Sequence, residues 1–326
     1  MSDGTKTLTR NKRLRWTLAG LIAGLALLVV LIQKSGATLS GISQVLGSVP
    51  WPIYALIMLT QSTIVVAAAM KWRIVLSETL DIQTISLGTA TSATATGALL
   101  GQIISIQISV PIVRAWVASK SGIRARAAAG TSLFEQSLEL LTLGIAVLAG
   151  LVFVALGAAF ATFSLIVLLG VVVAALKPVL RGSAMVVHRI RVMIGEGAAL
   201  TSLADGLNQA ADQRSVVLHR LMGLSLLRYV LIAGLNVGLM VMFLPGLDPM
   251  PLFVAFPLIL LVSSIPFLPA GLGVTEVTWA SALFLQGIDA ATAAEAAVSL
   301  RIVTVSGFLL CYPFLAAAGF RRHQDL

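Results

Sequence analysis

The sequence predicts an all-α protein: a polytopic transmembrane helical bundle of about 7–8 membrane segments, with two Pro/Gly-broken helical hairpins set in two pseudo-repeated halves. Three observations carry this. Hydrophobic residues make up 58% of the 326 and charged residues only 11%, with a mean hydropathy of +0.99. Several uncharged runs reach or approach the roughly 20 residues a helix needs to cross the hydrocarbon core. The basic residues gather in short clusters between those runs, the pattern that sets membrane orientation. The runs lack the alternation of apolar and polar residues that a closed barrel requires, so a barrel is excluded.

The elements follow in order. Residues 16–32 form the first span, entering from the cytoplasm behind Arg10, Lys12, Arg13 and Arg15. The same run, followed by Ser35-Gly36-Ala37, also fits a cleavable signal peptide, but a polytopic protein inserts without cleavage. An external linker through Pro50-Trp51-Pro52 leads to residues 53–70, which return inward and end at Met70-Lys71-Trp72-Arg73, an aromatic and basic interface anchor. Residues 84–113 carry no charge but are crowded with Thr, Ser, Ala and Gly. Basic residues flank both sides, so a hairpin enters and returns, either re-entrant or as two close-packed short helices, and Pro111 breaks its return before Arg114.

Residues 127–150 run outward with Glu135 and Glu139 on one helical face, and residues 155–176 return. Between 177 and 220 the chain turns polar, with Leu200, Leu203 and Leu207 at helical spacing, which fits amphipathic helices at the cytoplasmic interface. Residues 221–243 run outward and 251–265 return. The stretch Pro266 to Glu276 holds two prolines and two glycines and cannot continue one helix, so its backbone is buried in protein or lines water. A short helix over 277–287 precedes the last long span, 292–318, which Glu295 and Arg301 interrupt. The chain thus forms one integral membrane domain, 1–326, with a first half over 16–176, a linker over 177–220 and a second half over 221–320.

Several chemistries are disfavoured. One cysteine, Cys311, permits no disulfide or Cys-based metal site within a chain and reads as a small packing residue. His188, His219 and His323 have no ligand spacing, and no phosphate-binding loop, zinc-protease or nucleophile-elbow motif occurs. No cofactor is expected. The net charge of +9 lies in inter-span clusters and reports orientation and anionic headgroups, not nucleic acid.

Charges inside spans are the informative residues, because each costs a few kcal/mol at mid-bilayer and marks a partner or a pathway. Arg114 follows one broken hairpin and precedes Glu139 by 25 positions; Glu276 follows the other and precedes Arg301 by 25, with the signs exchanged. In one reading these are two internal ion pairs that pin each hairpin to its following helix. In the other, a weak duplication brings both hairpins around a shared polar centre near the midplane, where transporters hold substrate. Arg114 and Arg301 then grip an anionic headgroup, while Glu135, Glu139 and Glu276 orient the arginines or meet a cationic substituent. The backbone at Pro269, Gly271 and Gly273 completes this substrate site. Arg228 reads as an interface anchor that snorkels to the cytoplasmic surface, and Asp289 and Glu295 as solvated charges at the outer rim.

The chain resembles the lysylphosphatidylglycerol synthase transmembrane region, a flippase-like family. The resemblance rests on Met70-Lys71-Trp72-Arg73, on Pro111-Ile112-Val113-Arg114-Ala115-Trp116 with Lys120-Ser121-Gly122, and on Phe134-Glu135-Gln136. Above all it rests on Pro269-Ala270-Gly271-Leu272-Gly273-Val274-Thr275-Glu276 followed by Ser299-Leu300-Arg301. Ile112-Val113 stands where the family has a glycine-rich turn. The resemblance implies movement or handling of lipids or lipid-linked glycans across the cytoplasmic membrane. Members that make aminoacylated lipid carry a separate soluble synthase domain; these 326 residues hold none, so no synthase activity is implied for them.

The expected function is therefore that of an inner-membrane flippase-like protein with both termini cytoplasmic. Its ligand is an anionic phospholipid or a polyprenyl-linked lipid, and its partners are membrane lipids, with a second copy of the chain or lipid and glycan biosynthesis proteins as associates. Two rivals stand beside it: an intramembrane transferase acting on a lipid carrier, and a non-catalytic partner of a lipid or glycan assembly complex.

Overall fold

A computed structural model of the protein describes residues 3–80, 85–102, 105–156, 176–194, 208, 211–212, 214–263 and 271–320. Helices joined by short turns make up those residues, and no strand occurs among them. The helices are α1 (Asp3–Ser35), α2 (Leu39–Gly47), α3 (Trp51–Leu80), α4 (Leu87–Gly101), α5 (Ile106–Lys120), α6 (Ala125–Leu156), α7 (Leu176–Ile194), α8 (Ser215–Phe243), α9 (Pro249–Ser263), α10 (Val274–Phe284) and α11 (Ala290–Phe320). Among the described residues, four helices are long and apolar enough to cross a membrane: Trp51–Glu78, Ala127–Leu156, Ser215–Phe243 and Ala290–Ala317. A fifth span is available if Ala19–Ser35 and Leu39–Gly47, bent by 97° at their break, count as one. The predicted return span over 155–176 lies almost wholly outside the described residues, as do Leu200, Leu203 and Leu207 and the prolines 266 and 269.

The thread is interleaved into two compact units. The first takes Met1–Met58, Ala98–Ser109 and Leu235–Leu310; the second takes Leu59–Gly97, Val110–Gly234 and Cys311–Leu326.

In the second unit, one core joins α3, α6, α7 and α8 through Val75, Phe134, Leu138, Leu180, Leu218 and Leu221. Another joins α3 to α4, α5 and α6 through Trp72, Leu76, Ala90, Ala93, Val113, Ala118 and Ala128. Lipid tails are as apolar as leucine, so a membrane helix gains little by hiding methyl groups from lipid, and close packing of small residues holds such helices together instead. The alanines of this second core are that device. So is Gly97 of α4, where a Cβ would stand 2.7 Å from the Cα of Val110. The Thr- and Ala-rich run is thus a hairpin of two helices, each 15 residues long. At about 1.5 Å per residue such a helix falls short of a roughly 30 Å core.

Pro111 corrects an expectation: it lies inside α5 and does not break it. Membrane helices tolerate an internal proline because neighbouring groups satisfy the carbonyl it releases, and α9 and α11 likewise continue through Pro257 and Pro313. Helix α7 is amphipathic as the polar linker predicts, burying Leu180 and Ala184 while Arg181, Met185, Val186 and Arg189 face outward.

In the first unit the predicted break appears as two glycines with left-handed backbone, Gly271 at φ +70° and Gly273 at φ +79°, directly before α10. Helix α1 packs against this turn so closely that a Cβ on Gly273 would lie 2.3 Å from the carbonyl oxygen of Gly24. The run 16–32 therefore contributes packing to the folded unit. Helices α9 and α10 meet through Phe256 and Trp279, ring centroids 6.0 Å apart, and through the hydroxyls of Ser263 and Thr275 at 2.8 Å. Helix α2, within the predicted external linker, is capped by Thr38, whose hydroxyl accepts from the Gly41 N–H.

Candidate functional site

Helix α3 does not end where its basic residues begin. It continues to Leu80, and its buried face repeats every three or four residues through Ile64, Ala68, Lys71 and Val75, and through Val65, Ala69, Trp72 and Leu76. The interface anchor predicted at Met70–Arg73 is corrected for its two middle members: Lys71 and Trp72 have no exposed surface and point into the second unit.

A charged network is built around that stripe. The Lys71 ammonium pairs with Glu139 and lies 3.4 Å from Glu135, and it also donates to the Ser225 hydroxyl of α8 at 3.2 Å. Arg114 of α5 donates through Nη1 to Glu135 at 2.5 Å, through Nε to the Thr94 hydroxyl at 3.1 Å and through Nη2 to the Ala68 carbonyl at 3.0 Å. Its guanidinium also lies 5.1 Å from the centre of the Trp72 ring, whose Nε1 donates to Thr131. Each of the three guanidinium nitrogens of Arg114 thus donates to an acceptor, the kind of partnering a buried guanidinium needs.

Glu139, one helical turn beyond Glu135, pairs with both Lys71 and Arg228. Two expectations change here. The partner of Arg114 is Glu135 and not Glu139, because Glu139 on the next turn of α6 is taken by cations of α3 and α8. Arg228 is no snorkelling anchor but a member of the network. Among the described residues three cations, Lys71, Arg114 and Arg228, meet two carboxylates, a formal excess of one positive charge. Lys71, Arg114 and Glu135 are buried, whereas the Glu139 and Arg228 side chains keep 31% and 23% of their surface, so the network opens at that end.

The second constellation lies in the first unit. Glu276 is in the first turn of α10, placed by the Gly271–Gly273 turn, and Arg301 is near the middle of the span Ala290–Ala317 in α11. The pair predicted from the 25-residue spacing forms, with Arg301 Nε 3.5 Å from Glu276 Oε1. It is lopsided. The carboxylate keeps 2% of its surface and accepts no hydrogen bond among the described residues, while Arg301 keeps 22% and has no other partner among them. Gly271 and Gly273 shape the turn, and Pro269 lies outside the described residues.

Glu295 is not a freely solvated charge. It is half-buried and accepts from the backbone and hydroxyl of Thr38 at 2.9 and 3.0 Å, tying α11 to the start of α2. Asp289 is exposed as expected, and hydrogen bonds from the side chain and backbone of Thr292 hold its carboxyl below the usual range. Among the described residues no three His, Cys, Asp or Glu side chains converge, so no metal site is assigned.

Sequence reasoning missed Lys71, Thr94 and Ser225 and misread Arg228. Lys71 was detectable: it occupies the same helical stripe as Ile64, Ala68 and Val75, so a helix continuing past it had to bury it. Ser225 and Thr94 carry no such signal, since hydroxyl residues are frequent in membrane helices.

No curated protein and no solved structure matches the chain. The family described as lysylphosphatidylglycerol synthase TM region matches residues 16–311, which takes in both constellations and all but the ends of the sequence. The chain is a multi-pass membrane protein and belongs to the lysylphosphatidylglycerol synthase transmembrane-region family.

Proposed function

We propose that this protein translocates an anionic phospholipid, or a lipid-linked glycan carried on a phosphate, across the cytoplasmic membrane, without covalent chemistry of its own. Arg301 is the observation that carries the reading. It is a part-exposed guanidinium within a membrane span, held by one carboxylate at the long distance of 3.5 Å. A guanidinium binds phosphate with two parallel hydrogen bonds, and an under-partnered one at membrane depth marks a pathway. The excess positive charge of the Lys71 network supports the same class of ligand, and membership of a lipid-handling family agrees with it. The basic clusters between spans favour cytoplasmic termini. Membrane lipids are the partners, and association with a second copy or with lipid and glycan biosynthesis proteins belongs to the same proposal.

The test is translocation of tail-labelled phosphatidylglycerol by purified protein in liposomes, read as the fraction of label open to an external quencher. The wild-type protein speeds exchange over empty liposomes. Arg301→Ala slows it about ten- to a hundredfold, the worth of one hydrogen bond to a charged group. Unchanged exchange in folded Arg301→Ala and Glu276→Ala variants would remove the site, and no exchange with the wild type would remove the function.

A further inference from the structure

The Glu276 carboxylate is the least satisfied charged group among the described residues. Its residue is 1% exposed, neither oxygen accepts a hydrogen bond among those residues, and Arg301 Nε stands 3.5 Å away. An ionised carboxylate without donors is costly in a medium of low dielectric, and most of that cost is relieved when the group takes up a proton. Arg301 differs: its side chain is part-exposed, so an anionic group can reach its guanidinium. If an anionic phosphate draws Arg301 away, Glu276 is left buried and unpaired, the most unfavourable outcome for a broken buried ion pair.

We infer that Glu276 is a proton-binding site: it takes up one proton as the phosphate of an anionic ligand replaces it on Arg301, and gives the proton back when the ligand leaves. The exchange balances. One ion pair is traded for another, the proton sits on a Glu276 oxygen, and no other group changes its bonds. This rests on the reading of Arg301 as a phosphate-holding residue, and adds to it the coupling ion.

The surroundings leave Glu276 as the group that can accept this proton. Helix α9 has no titratable side chain, and its nearest polar group, Ser263, is engaged by Thr275. The segment 264–270 contributes none by sequence, and α1 has none between Arg15 and Lys34, the stretch whose Gly24 meets Leu272 and Gly273. On α11 the other acid, Glu295, is held by Thr38.

Two measurements test the inference. In weakly buffered detergent solution, addition of short-chain phosphatidylglycerol is expected to draw about one proton per bound lipid from the medium with the wild-type protein and none with Glu276→Gln. In liposomes carrying a gradient of one pH unit, labelled phosphatidylglycerol is expected to accumulate on one side by up to about tenfold, the equivalent of one coupled proton. Glu276→Gln is expected to abolish that asymmetry. Binding without proton uptake, equal uptake in Glu276→Gln, or asymmetry that follows a sodium gradient at equal pH would each overturn the inference while leaving translocation intact. Absence of both binding and exchange in the wild type would remove the inference together with the function it rests on.

Discussion

Lys71 has no exposed surface and stands in a membrane helix, which is tolerable only because Glu135, Glu139 and Ser225 surround its ammonium. The same accounting ranks its two acids. Glu135 is buried and shared between Lys71 and Arg114, whereas Glu139 is one-third exposed beside Arg228. Glu135→Ala therefore leaves two buried cations short of a partner and is expected to cost about 3–5 kcal/mol. Glu139→Ala, with water able to reach the vacated end, should cost less; unfolding in detergent compares them, and an equal or reversed ranking contradicts the network as described. Much of this was legible in the sequence, because charged residues inside apolar runs stand out. Their partners were not. Glu135 and Glu139 are one turn apart on one face, and which of them meets Arg114 depends on the cations that α3 and α8 bring to Glu139.

Helix α10 owes its position to a turn that only glycine can make. Gly273 combines a φ of +79° with a Gly24 carbonyl oxygen 2.3 Å from where a Cβ would sit, whereas Gly287, at φ +85°, faces open space. Gly287→Ala should cost about 1 kcal/mol from backbone strain alone. Gly273→Ala adds a backbone clash that no side-chain rotation relieves, so it should lower thermal stability clearly more and displace Glu276, slowing lipid exchange as well. Matching melting temperatures for the two variants would show that the α1 contact does not position the turn. The glycine- and proline-rich composition announced this break, and an uncharged run rich in Thr, Ser, Ala and Gly between basic flanks announced the hairpin over 84–113. Composition misled at Pro111, since a proline in lipid-like surroundings need not end a helix. It was silent on α2, whose nine residues mix Ser, Gly and Gln with apolar residues and are too short to stand out as a span.

On the scale of the whole molecule, the membrane class and the family were plain from runs, charges and motifs. The interleaving was not: the first unit closes residues 1–58 against 235–310, and contacts between such distant segments leave no local periodicity. Among the described residues each unit nevertheless holds a charged constellation within its apolar helices, and the two differ in character. The Lys71 network is dense and closed except at Glu139 and Arg228, so Arg114→Ala is expected chiefly to lower stability. The Glu276–Arg301 pair is sparse, so Arg301→Ala is expected to lower lipid exchange with a smaller loss of stability. Melting temperature and exchange rate, measured on both variants, should separate along that line.

Arg301 stands part-exposed in its span, and the proposed function requires it to hold a phosphate there. Native mass spectrometry of the gently purified protein tests it most directly. The wild-type protein is expected to retain an anionic phosphate lipid, and Arg301→Ala to lose it while remaining folded. Retention of the same lipid by both proteins, or of zwitterionic lipid alone, would contradict it.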